Sequence, residues 1–173
     1  MKVIVKGFDN LLTGLYFIVG IAVVIIMFCI TYGIISRYFF SSSIGWTAEI
    51  SGYVLIPLAL LAAPKMLRDG GHIQIDLITN LISPKKKAAL WLFASIVGTI
   101  VFIIICVVGF QITASMFASG YRTDTYLRVP RFILIGISAF GLGLIAVQFL
   151  RNIFRAIKIL RGGEDIVPES EAM

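Results

Sequence analysis

Charge is scarce in this 173-residue sequence, and four long segments lack it altogether. Only 14% of the residues are Asp, Glu, Lys or Arg, whereas an ordinary globular domain has roughly a quarter. A helix needs roughly 17–25 apolar residues to cross a bilayer core of about 30 Å. Three uncharged segments pass that test alone, and the second segment passes when residues 46–49 are added to it. The uncharged segments are 10–36, 50–64, 88–121 and 132–150. The sequence therefore predicts an all-α integral membrane protein with four transmembrane helices, at about 11–36, 46–66, 88–119 and 132–150.

Residues that carry catalytic or redox chemistry are also few. The sequence has two cysteines, Cys29 and Cys106, in different apolar segments, and a single histidine, His72. Separated cysteines argue against a four-helix thiol oxidase, and the lack of clustered aspartates argues against a lipid phosphotransferase that uses a divalent metal. A small multidrug exchanger requires a membrane-embedded carboxylate, which the first uncharged segment lacks. Since no nucleophile with a neighbouring base is recognisable, we expect no enzyme activity, no cofactor and no bound metal. We interpret the chain as a partner of other subunits.

The basic residues are divided unevenly between the two ends of the predicted helices. Eleven of the fifteen lie in the N-terminal segment, in the link between the second and third helices and after residue 150, and four lie at the opposite end. Because Lys and Arg accumulate on the cytoplasmic side, we expect a multi-pass protein of the bacterial inner membrane with both termini in the cytoplasm. The first uncharged segment is far longer than the roughly 7–15 residues of a secretory signal, so we expect it to be retained. The net charge of +6 then reflects topology and contact with anionic membrane lipids rather than nucleic acid.

Residues 73–83 are too short and too polar to cross the membrane. Their apolar side chains fall on one arc of a helical wheel and their polar side chains on the other. This pattern predicts an amphipathic helix that lies in the membrane interface between the second and third spans. The lysines at 85–87 that follow are expected to contact lipid phosphates. The predicted membrane domain covers residues 1–161, and the acidic segment 162–173 is expected to be disordered.

Polar and small residues mark the ends and contacts of the predicted helices. Arg37 closes the first helix and Glu49 opens the second on the same side, so we expect an ion pair between them. Pro57 predicts a kink within the second helix, and Gly120 predicts the cap that ends the third. Three small-residue pairs at four-residue spacing, Ala59/Ala63, Ala114/Ala118 and Ala139/Gly143, are candidates for close helix packing in membranes.

The densest polar cluster is the stretch 66-MLRDGGHIQID-76. The two adjacent glycines within it permit a sharp bend. We therefore expect the second helix to end near Arg68 and the interfacial helix to begin near His72, with Asp76 one turn further on. A single histidine is a poor metal site without further His or Cys ligands. We interpret Arg68, His72 and Asp76 as a structural or partner-contacting hinge.

The order and spacing of these polar residues resemble the small, DctQ-like membrane subunit of tripartite ATP-independent periplasmic (TRAP) transporters. That family carries Arg-Tyr at the end of helix 1, then a serine and Trp-x-x-Glu opening helix 2, and Arg-x-x-x-His-Ile-x-x-Asp after it. The resemblance covers roughly residues 10–155. The matching residues are Arg37, Tyr38, Ser43, Trp46, Glu49, Arg68, His72, Ile73 and Asp76.

The resemblance implies a part in sodium-coupled secondary uptake. Such transporters combine a small subunit with a large membrane subunit that carries substrate and sodium. A periplasmic binding protein delivers an acidic solute, such as a C4-dicarboxylate or sialic acid. The small subunit would be a scaffold, with its third helix against the large subunit and its periplasmic ends near the binding protein. The expected contacts with that protein are Arg122, Asp124, Arg128 and Arg131. The alternative interpretation is a four-helix assembly or accessory subunit of another membrane complex.

Overall fold

The computed structural model describes residues 2–40, 45–69 and 84–160, with side chains from residues 6 and 89 onward in the first and last ranges. Four helices occupy most of this part of the chain: α1 Lys2–Phe40, α2 Gly45–Arg68, α3 Pro84–Ser119 and α4 Arg131–Leu160. Each is long and apolar enough to cross a membrane, which confirms the predicted all-α class with four spans. Several predictions concern residues outside the described ranges, namely the interfacial helix at 73–83, the segment 162–173, Ser43, His72, Ile73 and Asp76.

All four helices extend beyond their predicted bounds. α1 begins at Lys2 rather than near residue 11. The sequence predicts that the fourth span runs into a basic amphipathic extension at 151–161, and α4 continues through that segment to Leu160. α3 begins at Pro84, a residue favoured in a first helical turn because it has no N–H to leave unpaired. The predicted bounds follow the uncharged segments. Helical hydrogen bonding nevertheless continues past them, since Lys and Arg are good helix formers.

α3 ends where the sequence predicts. Gly120 follows its last turn with a φ of 62°, and the Gly120 N–H donates to the carbonyl oxygen of Phe117 at 3.2 Å. Glycine adopts this left-handed conformation without steric cost, so the predicted cap is confirmed. Pro57 lies inside α2, together with Pro64. The kink expected at Pro57 stays a prediction.

The helices pack in the spatial order α1, α2, α4, α3, so that α2 and α4 lie in the middle of the row. α1 joins this row through a narrow stripe: Leu12, Val19 and Ile26, at seven-residue spacing, are 0%, 7% and 5% exposed. Seven-residue spacing keeps one face of a helix against a partner that crosses it at a small angle. Side chains on the other faces of α1 are largely exposed, including Phe17 at 70% and Phe28 at 64%.

α3 presents small and hydroxyl-bearing residues to α4. Ser95 and Thr99 are 1% and 7% exposed, and a Cβ built on Gly109 would lie 3.0 Å from the Cβ of Ala139. Bulky apolar side chains lie on the opposite faces, for example Ile104 at 57% exposed. Apolar burial between helices gains little in lipid, so small residues that permit close backbone approach dominate such interfaces.

α4 approaches both of its neighbours through small residues. The Ala139/Gly143 pair faces α3, where a Cβ on Gly143 would lie 3.3 Å from Sγ of Cys106. This confirms the pair as a site of close packing. Gly141 faces α2 instead, and a Cβ there would lie 2.9 Å from both the carbonyl carbon and the carbonyl oxygen of Leu60. Because these are backbone atoms, an added side chain would force the two helices apart.

Replacing Gly141 with alanine is expected to destabilise the protein by about 1–3 kcal/mol, the usual cost of overpacking a close contact. The measurement is thermal unfolding of the purified protein in detergent. Gly20→Ala in α1 is the matched control, because a Cβ on Gly20 meets nothing within 4 Å and alanine favours the helix. An unchanged unfolding midpoint for Gly141→Ala would contradict the close approach of α2 and α4.

Candidate functional site

Residues 121–130, which join α3 to α4, form a loop with a defined backbone conformation. Arg122 and Pro130 make an isolated antiparallel bridge, and the N–H of Thr123 donates to the carbonyl oxygen of Val129 at 3.1 Å. The Thr123 side chain is buried. Backbone hydrogen bonds within the loop therefore close its base, and the backbone bridge does not include the residues in its middle.

The middle of the loop 121–130 is held by the first turns of α2. Oε1 of Glu49 accepts a hydrogen bond from the N–H of Tyr126 at 2.9 Å, and Oε2 accepts one from the N–H of Leu127 at 3.1 Å. Hydrogen bonds to an ionised acceptor are about twice as strong as neutral ones. One helical turn further on, the hydroxyl of Tyr53 shares a hydrogen bond of 2.7 Å with the hydroxyl of Thr125. Hydrogen bonds from two side chains of α2 thus fix the loop to this helix.

Glu49 has hydrogen-bond partners that the sequence does not suggest. Both of its carboxylate oxygens accept backbone N–H groups of the loop, and the ion pair expected with Arg37 stays a prediction. Arg37 lies in the last turn of α1. Sequence reasoning missed the loop as a partner because 77 residues separate Glu49 from Tyr126, and backbone donors have no signature in the side-chain pattern.

The four expected partner contacts, Arg122, Asp124, Arg128 and Arg131, are all exposed, and the structure places them in two groups. The carboxylate of Asp124 accepts a hydrogen bond from the Tyr121 hydroxyl at 3.1 Å, and the guanidinium of Arg131 lies 5.5 Å from the centre of the Tyr121 ring. These two residues contact the base of the loop itself. Arg122 and Arg128 are presented on its surface. Arg128 has a φ of 45°, a left-handed conformation that is uncommon for residues other than glycine.

The remaining motif residues at this end lie where α1 and α2 meet. Tyr38 is 81% exposed in the last turn of α1, and Trp46 is half-buried in the first turn of α2. A Cβ on Gly33 would lie 2.6 Å from Oγ1 of Thr47, so the two helices are in close contact here. The Arg-Tyr and Trp-x-x-Glu residues therefore lie at the same end of the molecule as the loop 121–130.

A network of ion pairs around Asp9 joins three helices at the opposite end. Nη1 of Arg151 in α4 lies 2.6 Å from Oδ1 of Asp9 in α1, and Nη1 of Arg68 in α2 lies 3.5 Å from the same oxygen. Nε of Arg68 also lies 2.9 Å from Oδ1 of Asp69. The motif residue Arg68 thus joins α2 to α1 through Asp9. His72 and Asp76 lie outside the described residues.

Sequence reasoning missed Asp9 and Arg151 as parts of this network. In the sequence, Arg151 is distinguished only as one of the basic residues that indicate topology. The signal that could have found Asp9 is its position, since it is an acidic side chain at the edge of an otherwise uncharged segment. Such a residue is costly in a membrane helix without a partner of opposite charge.

The network around Asp9 continues into the buried surface of α4. Nη1 of Arg151 donates to Oε1 of Gln148 at 3.3 Å, and Nε2 of Gln148 donates to Oδ1 of Asn152 at 3.4 Å. Gln148 and Asn152 are 1% and 4% exposed. Polar groups this deeply buried are costly unless they are hydrogen-bonded. The hydrogen bonds from Arg151 to Gln148 and from Gln148 to Asn152 therefore stabilise the buried amide groups.

Asp69 extends the network beyond the end of α2. Burial raises the pKa of the Asp69 carboxyl, but hydrogen bonds and charges from Lys65 and Arg68 lower the pKa by more, so that it lies below its ordinary value. Nζ of Lys65 lies 2.7 Å from Oδ2 of Asp69 and 5.5 Å from the centre of the Tyr16 ring on α1. The Asp69 carboxylate thereby keeps two basic side chains close to the α1–α2 contact.

Replacing Asp9 with asparagine is expected to lower stability by roughly 1–3 kcal/mol. This loss lies between the values typical of breaking an exposed and a buried ion pair. The three side chains are partly buried: Arg68, Arg151 and Asp9 are 18%, 25% and 24% exposed. The measurement is thermal unfolding in detergent. Asp124→Asn is the matched control, since Asp124 is an exposed aspartate with one hydrogen bond of 3.1 Å. Equal effects of the two substitutions would contradict the network as a three-helix bracket.

Comparison with known proteins places the chain in a family. Residues 26–159 match the family model described as "Tripartite ATP-independent periplasmic transporters, DctQ component". The chain is also 20% identical over 153 residues to the isethionate TRAP transporter permease protein DctMQ of Oleidesulfovibrio alaskensis. That alignment takes in 82% of this chain and 23% of the relative, so the chain spans about a quarter of the relative's length. The four-helix chain with these motifs belongs to the DctQ component family of tripartite ATP-independent periplasmic transporters.

Proposed function

We propose that this chain is the small membrane subunit of a sodium-coupled TRAP transporter that imports an acidic organic solute of the C4-dicarboxylate or sialic acid class. In this proposal it is a scaffold for a large transport subunit and a docking surface for a periplasmic binding protein. The observation that carries the proposal is the match to the DctQ component family over residues 26–159. Membership of this family corresponds to the role of a transporter component rather than that of an enzyme.

The distribution of charge in the helices supports a scaffold rather than a carrier. Residues 10–36, 50–64, 88–121 and 132–150 carry no charged side chain. Ion and proton pathways through membranes usually need such groups near the middle of the bilayer. In the part of the chain described by the structure, Glu49 and Asp9 form intramolecular contacts at the two ends. Substrate and sodium are therefore assigned to the large subunit.

The similarity to a longer permease supports a larger partner. The relative from Oleidesulfovibrio alaskensis is named as an isethionate TRAP transporter permease protein DctMQ, and 77% of its length lies outside the aligned part, given that the alignment takes in 23%. Isethionate is an acidic organic solute, in keeping with the proposed substrate class. The solute of this system is not assigned more closely, because the binding site is proposed to lie in the other subunits.

The proposed orientation places both termini and the network around Asp9 in the cytoplasm, and the loop 121–130 in the periplasm. It is supported by the charge asymmetry, in which eleven of fifteen basic residues lie at the end that carries the termini. Positive residues accumulate on the cytoplasmic side of bacterial membranes. The loop would then face the compartment in which a binding protein delivers its solute.

The proposed function is tested by solute uptake into vesicles that contain the large subunit with or without this chain. A sodium gradient and the cognate binding protein are supplied in both cases. We expect uptake with both membrane subunits and little uptake without this chain. Transport at full rate by the large subunit alone would contradict the scaffold role, and sodium-independent uptake would contradict the proposed coupling.

The exposed apolar face of α3 is proposed to contact the large subunit. A photo-crosslinking residue at Ile104 of α3 is expected to crosslink to that subunit in the assembled complex. The same residue at Ile25 of α1 is the matched control, since both isoleucines are 57% exposed and both lie inside apolar helices. Crosslinking from Ile25 but not from Ile104 would assign the interface to α1 instead.

A further inference from the structure

The loop 121–130 owes its position to a carboxylate far away in the sequence. Glu49 accepts two backbone hydrogen bonds from Tyr126 and Leu127, at sequence separations of 77 and 78 residues. Both donors belong to a segment outside any helix or strand. Backbone N–H groups in such a segment would otherwise be satisfied by water and leave the chain free to move. Glu49 therefore supplies both of the hydrogen bonds that join residues 126 and 127 to α2.

Glu49 also supports the strained residue that follows. The N–H of Arg128 donates to the carbonyl oxygen of Thr125 at 3.2 Å, and Arg128 has a φ of 45°. A residue other than glycine in this conformation costs on the order of 1 kcal/mol and persists where surrounding contacts hold it. The contacts that hold it are the two hydrogen bonds to Glu49 and the bond of 2.7 Å between Tyr53 and Thr125.

The surface held in this way is aromatic and carries two arginines against one exposed aspartate, Asp124. Tyr126 is 79% exposed, and Arg122 and Arg128 are exposed beside it in the same loop. Both carboxylate oxygens of Glu49 accept backbone N–H groups of the loop, so that the carboxylate binds the loop backbone. Arginine and tyrosine are enriched at protein interfaces, and a basic surface favours encounter with an acidic one.

We propose that Glu49 is a positioning residue for partner recognition, which fixes Tyr126 and Arg128 as a preformed surface for an acidic face of the periplasmic binding protein. The inference rests on the proposed function, since it takes the binding protein as the partner. Its physical basis is preorganisation: a loop that is already ordered loses less conformational entropy on binding. The structural role of the glutamate in Trp46-Thr47-Ala48-Glu49 is then to place a loop that the partner contacts.

The test uses the complete membrane complex in lipid nanodiscs and the cognate binding protein. Glu49→Ala removes both acceptors, and we expect about tenfold weaker binding of the binding protein, as expected when preorganisation is lost. Hydrogen exchange of the backbone at residues 125–128 should become faster, while co-purification of the large subunit stays unchanged. Asp69→Asn, which removes a carboxylate at the opposite end of α2, is the matched control and should change neither binding nor exchange in the loop.

A second variant separates positioning from direct contact. Arg128→Asn removes the charge but keeps a residue that adopts positive φ readily. It should weaken binding without faster exchange in the loop, because the hydrogen bonds to Glu49 remain. Tyr53→Phe, which removes the bond to Thr125, provides a milder loosening if Glu49→Ala prevents assembly. It should give faster exchange with about threefold weaker binding, in line with partial loss of preorganisation.

The outcomes distinguish this inference from the proposed function. Faster exchange in the loop with unchanged affinity, for Glu49→Ala or Tyr53→Phe, would overturn the positioning role and leave the transporter assignment intact. Unchanged exchange in Glu49→Ala would overturn the tether itself. If the unaltered complex neither bound the binding protein nor took up solute, the proposed function would fail before any variant was compared.

Discussion

The absence of water from the bilayer core is the constraint on which the rest of this structure depends. Polar groups there must find partners within the protein. The hydroxyls of Thr31, Thr99 and Thr113 donate to carbonyl oxygens four residues earlier in their own helices, at 2.7–2.8 Å. Because these hydroxyls are paired within their own helices, the buried Thr99 and the half-buried Thr113 pack beside a neighbouring helix at little cost. Helix contact in lipid depends on close backbone approach rather than on apolar burial, which explains why α3 and α4 meet through glycine, alanine and hydroxyl-bearing residues.

The same constraint places the charged chemistry at the two ends, where one carboxylate on each side connects distant parts of the chain. Glu49 holds backbone N–H groups of the loop 121–130, whereas Asp9 holds the guanidinium groups of Arg68 and Arg151. The two arrangements serve different purposes. Guanidinium pairs join three helices that are already rigid, while backbone donors order a segment that lies outside any helix. The described part of the chain is thus stabilised by charged groups at both ends, with uncharged helix segments between them.

Particular residues show how far sequence reasoning reaches. Runs without charge locate all four helices, and Gly120 marks the end of α3, since both signals are local. The motif identifies Glu49 and Arg68 as notable but not their partners. The structure shows backbone groups of Tyr126 and Leu127 as partners of Glu49, while the ion pair expected with Arg37 stays a prediction. Asp9 escaped notice because a single aspartate near the N-terminus has no distinguishing spacing. The expectations for Ser43, His72, Ile73 and Asp76 stay predictions.

The sequence by itself determined the class of protein, the number of spans and the family resemblance, because hydropathy and motif spacing are properties of neighbouring residues. Only the tertiary structure decided the order α1, α2, α4, α3, the close approach of Gly141 to Leu60, and the partners of Glu49 and Asp9. These contacts join residues that lie far apart in the sequence. They depend on single carboxylates, on backbone N–H donors and on the absence of a side chain at Gly141. The partners of these residues are determined by how the helices pack, because the neighbouring sequence does not indicate which residues they will contact.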